Sequence, residues 1–135
     1  MDKNNRLWYP IFRWEADMKN FLNLTPHDVT VFLENGEKIV FKRSGRVARI
    51  NVFHFDAGHI IVDGKKIPLT YVEYGEVEGL PEYDPSLFII VSQMVAQALQ
   101  GSKWSGHILV PDTSPQNVVR DEKGRILGVK GFQLW

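Results

Sequence analysis

The sequence predicts an α+β fold that is mostly antiparallel β-sheet with one principal helix. Two features of the sequence indicate it. Short segments in which polar and apolar residues alternate recur along the chain and are separated by Gly-containing turns, which is typical of strands joined by hairpins. A single segment, residues 93–100, has apolar residues at helical spacing. The chain has 135 residues, 44% of them hydrophobic, which is enough for one domain with its own core.

The first half of the chain is predicted to form hairpins. Asn35-Gly36 and Asp63-Gly64 suit tight turns, because these residue types tolerate positive φ. Residues 75–85 hold two Gly and two Pro and are predicted to form an ordered loop. The predicted strands span residues 28–33, 38–42, 47–55, 59–62 and 66–74.

The second half is predicted to hold a buried strand, the helix and a last hairpin. Residues 87–91 are continuously apolar, which favours a strand buried on both faces. Ser92 suits the N-cap of the helix, and Gly101 suits its end. The apolar helix face is predicted to consist of Met94, Val95, Ala98 and Leu99. The remaining predicted elements are a strand at 107–110, a loop at 111–115 and a hairpin of residues 117–120 and 125–129 around a turn at 121–124.

Residues 1–20 are predicted to form an N-terminal arm, separate from a single domain of residues 21–135. Trp8, Tyr9, Phe12 and Trp14 crowd into this short polar stretch. Disordered tails are poor in aromatic residues, so we expect the arm to dock on a surface. Either its own domain or a neighbouring subunit would provide that surface.

Charge and composition exclude several classes of function. Sixteen Lys and Arg balance sixteen Asp and Glu, whereas proteins that bind long nucleic acids or polybasic membrane sites carry a basic excess. The chain has no cysteine, which excludes disulfides, thiolate metal sites and cysteine nucleophiles. No apolar run of signal-peptide or membrane length follows the polar first residues, so we expect a soluble, cytoplasmic protein.

The histidines and hydroxyl groups suggest only weak catalytic or metal sites. His54 and His59 flank a predicted turn, where they would meet across a hairpin, but two histidines without a carboxylate pair make a poor zinc site. Asp112, Thr113 and Ser114 offer a carboxylate and two hydroxyl groups, and His107 lies near them in sequence. A hydrolytic site also needs a base that a third group orients, which spacing alone does not show. Turn formation also explains this Asp-Thr-Ser-Pro segment. We therefore expect no metal and no cofactor.

The arginines are more informative, because a guanidinium group grips a phosphate through paired N–H donors. Arg46 and Arg49 lie beside the Ser44-Gly45 break, and Arg120 and Arg125 flank the last turn. Solvated surface arginines, balanced by neighbouring acids, are the alternative interpretation.

Six motifs along the chain, considered together, resemble a known family. In this order, over residues 22–132, they are similar to the first-described family of phage Thoeris anti-defence proteins. Neither the arm nor residues 51–74 contribute to the resemblance. The motifs are Asn23-Leu-Thr-Pro-His27, Ser44-Gly-Arg-Val-Ala-Arg49, Gly75-Glu-Val-Glu-Gly-Leu-Pro81, Ile90-Val-Ser-Gln-Met-Val-Ala-Gln-Ala98, Val110-Pro-Asp-Thr113 and Val119-Arg-Asp-Glu-Lys-Gly-Arg-Ile-Leu-Gly128.

The resemblance implies a non-enzymatic sponge in the cytoplasm of an infected bacterial host. Such proteins bind the cyclic ADP-ribose isomers made by TIR-domain sensors and withhold them from the defence effector. They assemble as homo-oligomers, from dimers to hexamers, with signal sites at subunit interfaces. Some members also hold cyclic di- or trinucleotides of the CBASS system at separate sites.

A cyclic ADP-ribose ligand would need arginines for phosphate, a clamp for the adenine base and polar groups for ribose. Arg120 and Arg125 are the expected phosphate ligands, with Arg46 and Arg49 at the same site or a second one. Phe88 is expected to stack on the base and Gln97 to read its polar edge. The other candidate ligand-binding residues are Ser92, Asp112, Thr113 and Asn117.

Two other functions remain open from the sequence. One is a hydrolase of the same signals that uses His107 and Asp112. The other is a structural or assembly protein of a virion, with the aromatic arm as its joint.

Overall fold

The computed structural model describes residues 16–135 as ten strands, one α-helix and a short 3-10 helix at Met18–Asn20. The arm aromatics Trp8, Tyr9, Phe12 and Trp14 lie outside the described residues. The α-helix, α1, spans Gln93–Ala98. The strands are β1 (Phe21–Asn23), β2 (Val29–Phe32), β3 (Lys38–Phe41), β4 (Arg49–Val62), β5 (Lys65–Glu78), β6 (Phe88–Ile90), β7 (Ile108–Pro111), β8 (Val118–Arg120), β9 (Ile126–Val129) and β10 (Phe132–Leu134).

The strands form two four-stranded sheets and a separate two-stranded ribbon. The first sheet has the order β1-β6-β7-β10, in which β1, β6 and β7 are parallel and β10 is antiparallel to β7. The second sheet has the order β3-β2-β9-β8, with antiparallel outer pairs and a parallel contact between β2 and β9. Strands β4 and β5 pair only with each other among the described elements.

The two sheets and the helix stack in three layers. One face of the first sheet and α1 enclose a core that includes Ile89, Val91 and Val95. The opposite face of the same sheet presents Ile90 to Val31 and Val129 of the second sheet. Strand β6 is therefore buried on both faces, as its continuous apolar run predicts.

The ribbon of β4 and β5 extends away from these layers. Each strand has 14 residues, so the ribbon is about 45 Å long at ~3.3 Å per residue. Its turn is at Asp63 and Gly64, whose φ angles are 52° and 75°. Every residue from 52 to 74 is exposed.

The predicted α+β class, mainly antiparallel with a single short helix, is confirmed, as are the turns at Asn35-Gly36, Asp63-Gly64 and residues 121–124. Several details were wrong. Residues 47–55 and 59–62 do not form two strands, because Gly58, with a φ of +86°, sits in an irregularity that lets β4 continue. Residues 75–78 are not a loop, because they continue β5 opposite residues 49 and 50.

The buried face of α1 also differs from the prediction. Val95, Ala96 and Leu99 are buried, whereas Met94 and Ala98 are exposed. The helix packs on the first sheet through one narrow side, which leaves Met94 and Ala98 facing the base of the ribbon.

Candidate functional site

Three adjoining cavities run beside α1, and together we call them the α1 groove. Their volumes are about 510, 330 and 280 Å³. Thr25 and Ser92 line both the first and the second cavity. Ile50 and Met94 line both the second and the third. These shared lining residues show that the three cavities are neighbours along the helix.

The first cavity lies at the carboxyl ends of three parallel strands. Thr25 and His27 follow β1, Ser92 follows β6, and Thr113 and Ser114 follow β7. Parallel strands bring their carboxyl ends to the same sheet edge, which is where open parallel sheets bind ligands. The sheet topology thus assembles polar side chains from positions almost ninety residues apart.

Asn23 holds the segment that follows β1. Its side chain is 3% exposed, and its amide Nδ2 donates to the carbonyl oxygens of His27 at 2.8 Å and Phe41 at 2.9 Å. Its Oδ1 accepts from the backbone N–H of Thr25 at 2.9 Å and lies 2.7 Å from the Thr25 hydroxyl. These bonds fix Thr25 and His27 on the groove wall. The sequence reasoning missed Asn23 as a functional residue, although an Asn two residues before a Thr is typical of such turns.

Ser92 has a structural role in the groove. Its Oγ accepts a hydrogen bond from the backbone N–H of Val95 at 3.3 Å, which is the predicted N-cap. The helix then ends as predicted before Gly101, whose φ is +80°. Gln97 lines the third cavity beside Ile50 and Tyr74, which join it from the base of the ribbon.

Asp112 organises the loop after β7. Its carboxylate accepts from the hydroxyl of Ser114 at 2.7 Å, from the Ser114 backbone N–H at 3.1 Å and from the Asn117 amide at 2.9 Å. These bonds, the two from Ser114 above all, lower the pKa of Asp112 below its usual value. Asp112 and Asn117 therefore brace the loop that presents Thr113 to the first cavity.

Two of the candidate arginines lie close to the groove but differ in role. Arg46 donates from Nε to the carbonyl oxygen of Gly79 at 2.8 Å and from Nη2 to that of Leu80. Its guanidinium group therefore ties residues 44–49 to the end of β5. Arg49 is exposed and lines the second cavity, where it is available to an anion.

Arg120 and Arg125 lie at the tip of the β8–β9 hairpin, outside the three cavities. Although they flank the turn as predicted, they do not face each other across the ladder, because a register shift after Val119 pairs Arg120 with Ile126. Arg125 Nε instead donates to Asp121 at 2.8 Å, and Arg120 Nη1 donates to the Gly124 carbonyl at 2.6 Å. Both guanidinium groups remain exposed at the hairpin tip.

Phe88 lies in the core. It is 6% exposed, and its ring stacks on that of Phe21 with centroids 5.4 Å apart. This placement favours packing over the base-stacking role expected from the sequence.

The structure does not bring together the residues of the predicted hydrolytic and metal sites. His107 precedes β7 and Asp112 follows it, so their Cα atoms are about 16 Å apart at ~3.3 Å per residue. His54 and His59 both lie on β4 and pair with Val72 and Pro68, so they do not meet across a hairpin. Within residues 16–135 no group of three or more His, Asp or Glu is placed to hold a metal ion.

Comparisons with protein-family models, curated proteins and solved structures found no match to this chain. The part of the chain that the structure describes holds no helix with the length and apolar character needed to cross a membrane.

Proposed function

We propose that this protein is a sponge that binds and sequesters cyclic nucleotide immune signals without degrading them. The observation that carries the proposal is the convergence of sequence motifs on the α1 groove. Four of the six motifs that carry the family resemblance contribute lining residues: 23–27, 44–49, 90–98 and 110–113. Their convergence from distant parts of the chain is what a shared ligand site requires.

The chemistry of the groove fits a small nucleotide. Hydroxyl and amide groups of Thr25, Ser92, Gln97 and Thr113 lie among valine, isoleucine and methionine side chains, as needed for ribose and a flat base. Arg49 supplies a positive charge for phosphate. None of the described lining residues carries a carboxylate that would repel the phosphate. The first cavity alone falls within the range of about 300–1,000 Å³ typical of small-molecule sites.

Sequestration is a better fit than hydrolysis. A hydrolase needs a base and its orienting partner within hydrogen-bond reach, and His107 and Asp112 lie at opposite ends of β7. The carboxylate of Asp112 is already occupied by Ser114 and Asn117. Binding without chemistry needs only the polar and apolar walls described above.

Arg120 and Arg125 retain a role in this proposal through assembly. Their exposed guanidinium groups lie on the hairpin tip, away from the groove of their own subunit. The family resemblance implies a homo-oligomer with sites at subunit interfaces, so we assign these arginines to the groove of a neighbouring subunit. The protein would act in the cytoplasm of the infected bacterial host, where the signals are made.

Calorimetric titration with a cyclic ADP-ribose isomer, followed by heat denaturation and analysis of the released ligand, tests the proposal. We expect saturable binding and recovery of unaltered ligand. The proposal would be refuted if the protein bound neither the cyclic ADP-ribose isomer nor cyclic di- and trinucleotides. Recovery of cleaved ligand would establish a hydrolase.

The arginines are tested in the same titration. Loss of one charge-assisted phosphate contact costs about 1.5–3 kcal/mol, so Arg49→Ala should weaken binding roughly ten- to hundredfold. Arg43→Ala is the matched control, because Arg43 is exposed and lies outside the three cavities. Arg125→Ala should weaken binding only in the assembled protein. Equal affinity of all variants would remove these arginines from the site.

A further inference from the structure

The two faces of the β4–β5 ribbon differ in chemistry. Residues paired across an antiparallel ladder point to the same face, and neighbours along a strand point to opposite faces. The pairs Phe53–Glu73, Phe55–Tyr71, Ile60–Ile67 and Val62–Lys65 therefore share one face, together with Leu69. We call this the apolar face. The opposite face is mixed. Its polar groups include His54, Asp56, His59, Thr70 and Lys66, and its apolar side chains are Val52, Ile61, Val72 and Tyr74.

The apolar face is exposed in the described chain. Seven large apolar side chains lie on it, each between 39% and 53% exposed: Phe53, Phe55, Ile60, Val62, Ile67, Leu69 and Tyr71. The rings of Phe55 and Tyr71 stack on each other with centroids 5.2 Å apart and leave their outer surfaces open. A two-stranded ribbon is at best marginally stable in water unless another layer packs on it. The face therefore needs an occupant.

We propose that the occupant is the apolar face of the ribbon of a second copy of this chain, packed face to face in antiparallel orientation. The exposed apolar area is of the right size. Half-exposed side chains of these types leave on the order of 600 Å² open per subunit, so two ribbons would bury on the order of 1,200 Å², the lower bound for a stable interface. A patch of this size is at the upper end of the roughly 300–600 Å² that the largest apolar patch on a typical monomer reaches.

The charges on the apolar face fix the orientation. Lys65 lies near the tip of the ribbon and Glu73 near its base, each four residues from Leu69 along β5. A two-fold axis through Leu69 places the Lys65 of each subunit over the Glu73 of the other. The same axis lays the Phe55–Tyr71 pair of one subunit over the Ile60–Ile67 pair of the other. Sheets packed in this way lie ~10 Å apart.

This interface stands independently of ligand binding, because it rests on the surface of the ribbon alone. The test is light scattering at about 10 μM, with neighbouring isoleucines as matched variants. Ile60 is on the apolar face and 50% exposed, whereas Ile61 is on the opposite face and 62% exposed. We expect the wild type to be at least dimeric. Ile60→Asp should raise the dissociation constant at least tenfold, and Ile61→Asp should leave it within a few-fold.

Charge reversal and crosslinking test the orientation. Lys65→Glu and Glu73→Lys should each weaken association, and the double variant should restore it. The protein has no native cysteine, so Leu69→Cys places a single thiol at the two-fold axis. A short bismaleimide should link it to its copy, while Thr70→Cys on the opposite face should stay unlinked.

The proposal is overturned by a monomeric wild type, or by equal effects of Ile60→Asp and Ile61→Asp. Absence of a Leu69→Cys crosslink in an intact oligomer also overturns it, since another segment or strand-edge pairing then forms the contact. Leu69→Cys is a smaller change than an aspartate substitution, so crosslinking still tests whether the apolar faces form the contact when an aspartate variant misfolds. Failure of ligand binding in a protein that still crosslinks would refute the sponge and leave this interface intact.

Discussion

Replacing the buried side chain of Asn23 should be the most damaging polar substitution in the domain. Asn23→Ala removes four hydrogen bonds and leaves the carbonyl oxygens of His27 and Phe41 without this donor in a site only 3% exposed. At about 1 kcal/mol for each bond, the expected loss is about 4 kcal/mol. A domain of this size has only about 5–15 kcal/mol of unfolding free energy, so the loss is a large fraction of it.

Urea denaturation measures this loss directly as a lower midpoint at an unchanged slope. Asn35→Ala is the matched control, because Asn35 is exposed and bonds only to Glu37 in the first hairpin turn. Its cost should be within about 0.5 kcal/mol of zero, as for most surface substitutions. A loss below about 1 kcal/mol in Asn23→Ala would refute the role given to this residue.

The nearly isosteric change Asn23→Asp separates hydrogen bonding from packing. A carboxylate keeps the bonds from Thr25 but faces the carbonyl oxygens of His27 and Phe41, which favour the protonated form. The folded pKa of this aspartate should therefore lie above its unfolded value. A raised folded pKa gives stability that is present below the unfolded value and is lost as the pH rises through the folded one. The deficit relative to wild type should accordingly shrink from pH 7 toward pH 4, and a deficit independent of pH would contradict this reasoning.

Two further predictions follow from the backbone and from Asp112. A Cβ on Gly79 would overlap the carbonyl oxygen of Val47, so Gly79→Ala should cost at least about 3 kcal/mol in urea denaturation. Gly45→Ala, at the same φ of +88° but in open space, should cost only about 1–2 kcal/mol, and equal costs would contradict the steric argument. The hydrogen bonds from Ser114 lower the pKa of Asp112 in the folded protein. The ionised carboxylate therefore stabilises the fold above the pKa of the unfolded state, and this stabilisation is lost as the pH falls through the pKa of the folded state. Thermal melts should therefore show Asp112→Asn less stable than wild type at pH 7 and less sensitive to acid below about pH 4, and parallel pH profiles would contradict this.

Local features of the structure were predictable from the sequence, and non-local ones were not. The turns at Asn35-Gly36 and Asp63-Gly64 depend on residues that tolerate unusual φ angles, so the sequence alone indicates them. The buried strand β6 follows from its continuous apolar run. The parallel pairing of β1 with β6, 67 residues away in sequence, depends on tertiary packing that no local pattern encodes.

The ribbon shows a limit of alternation as a pattern. The predicted strands at residues 47–55, 59–62 and 66–74 lie mainly within the two long strands of the ribbon. In the described chain both faces are exposed, and the alternation separates a largely apolar face from one that mixes polar and apolar side chains. Alternation looks the same in a half-buried strand and in this exposed ribbon, because it shows which side of a strand is apolar and not what covers that side.

The candidate site was predictable in its motifs and not in its geometry. Thr113, Ser92, Gln97 and Arg49 were singled out from the sequence, and the structure places all four on the α1 groove. The position of Arg120 was not predictable, because no sequence pattern marks the register shift after Val119 that pairs it with Ile126.

The α1 groove and the ribbon meet at Ile50 and Tyr74, which belong to the ribbon strands and line the third cavity. Tyr74 pairs with Val52 and lies on the face opposite the proposed interface, so a ligand that touches it contacts the ribbon strands but not the apolar face. Ligand binding and association are then two equilibria that share one structural element. Thermodynamic linkage requires their coupling to be reciprocal, so that the factor by which association tightens ligand binding equals the factor by which ligand tightens association. Any change in ligand affinity that accompanies association must therefore be matched by an equal change in the association constant when ligand is bound.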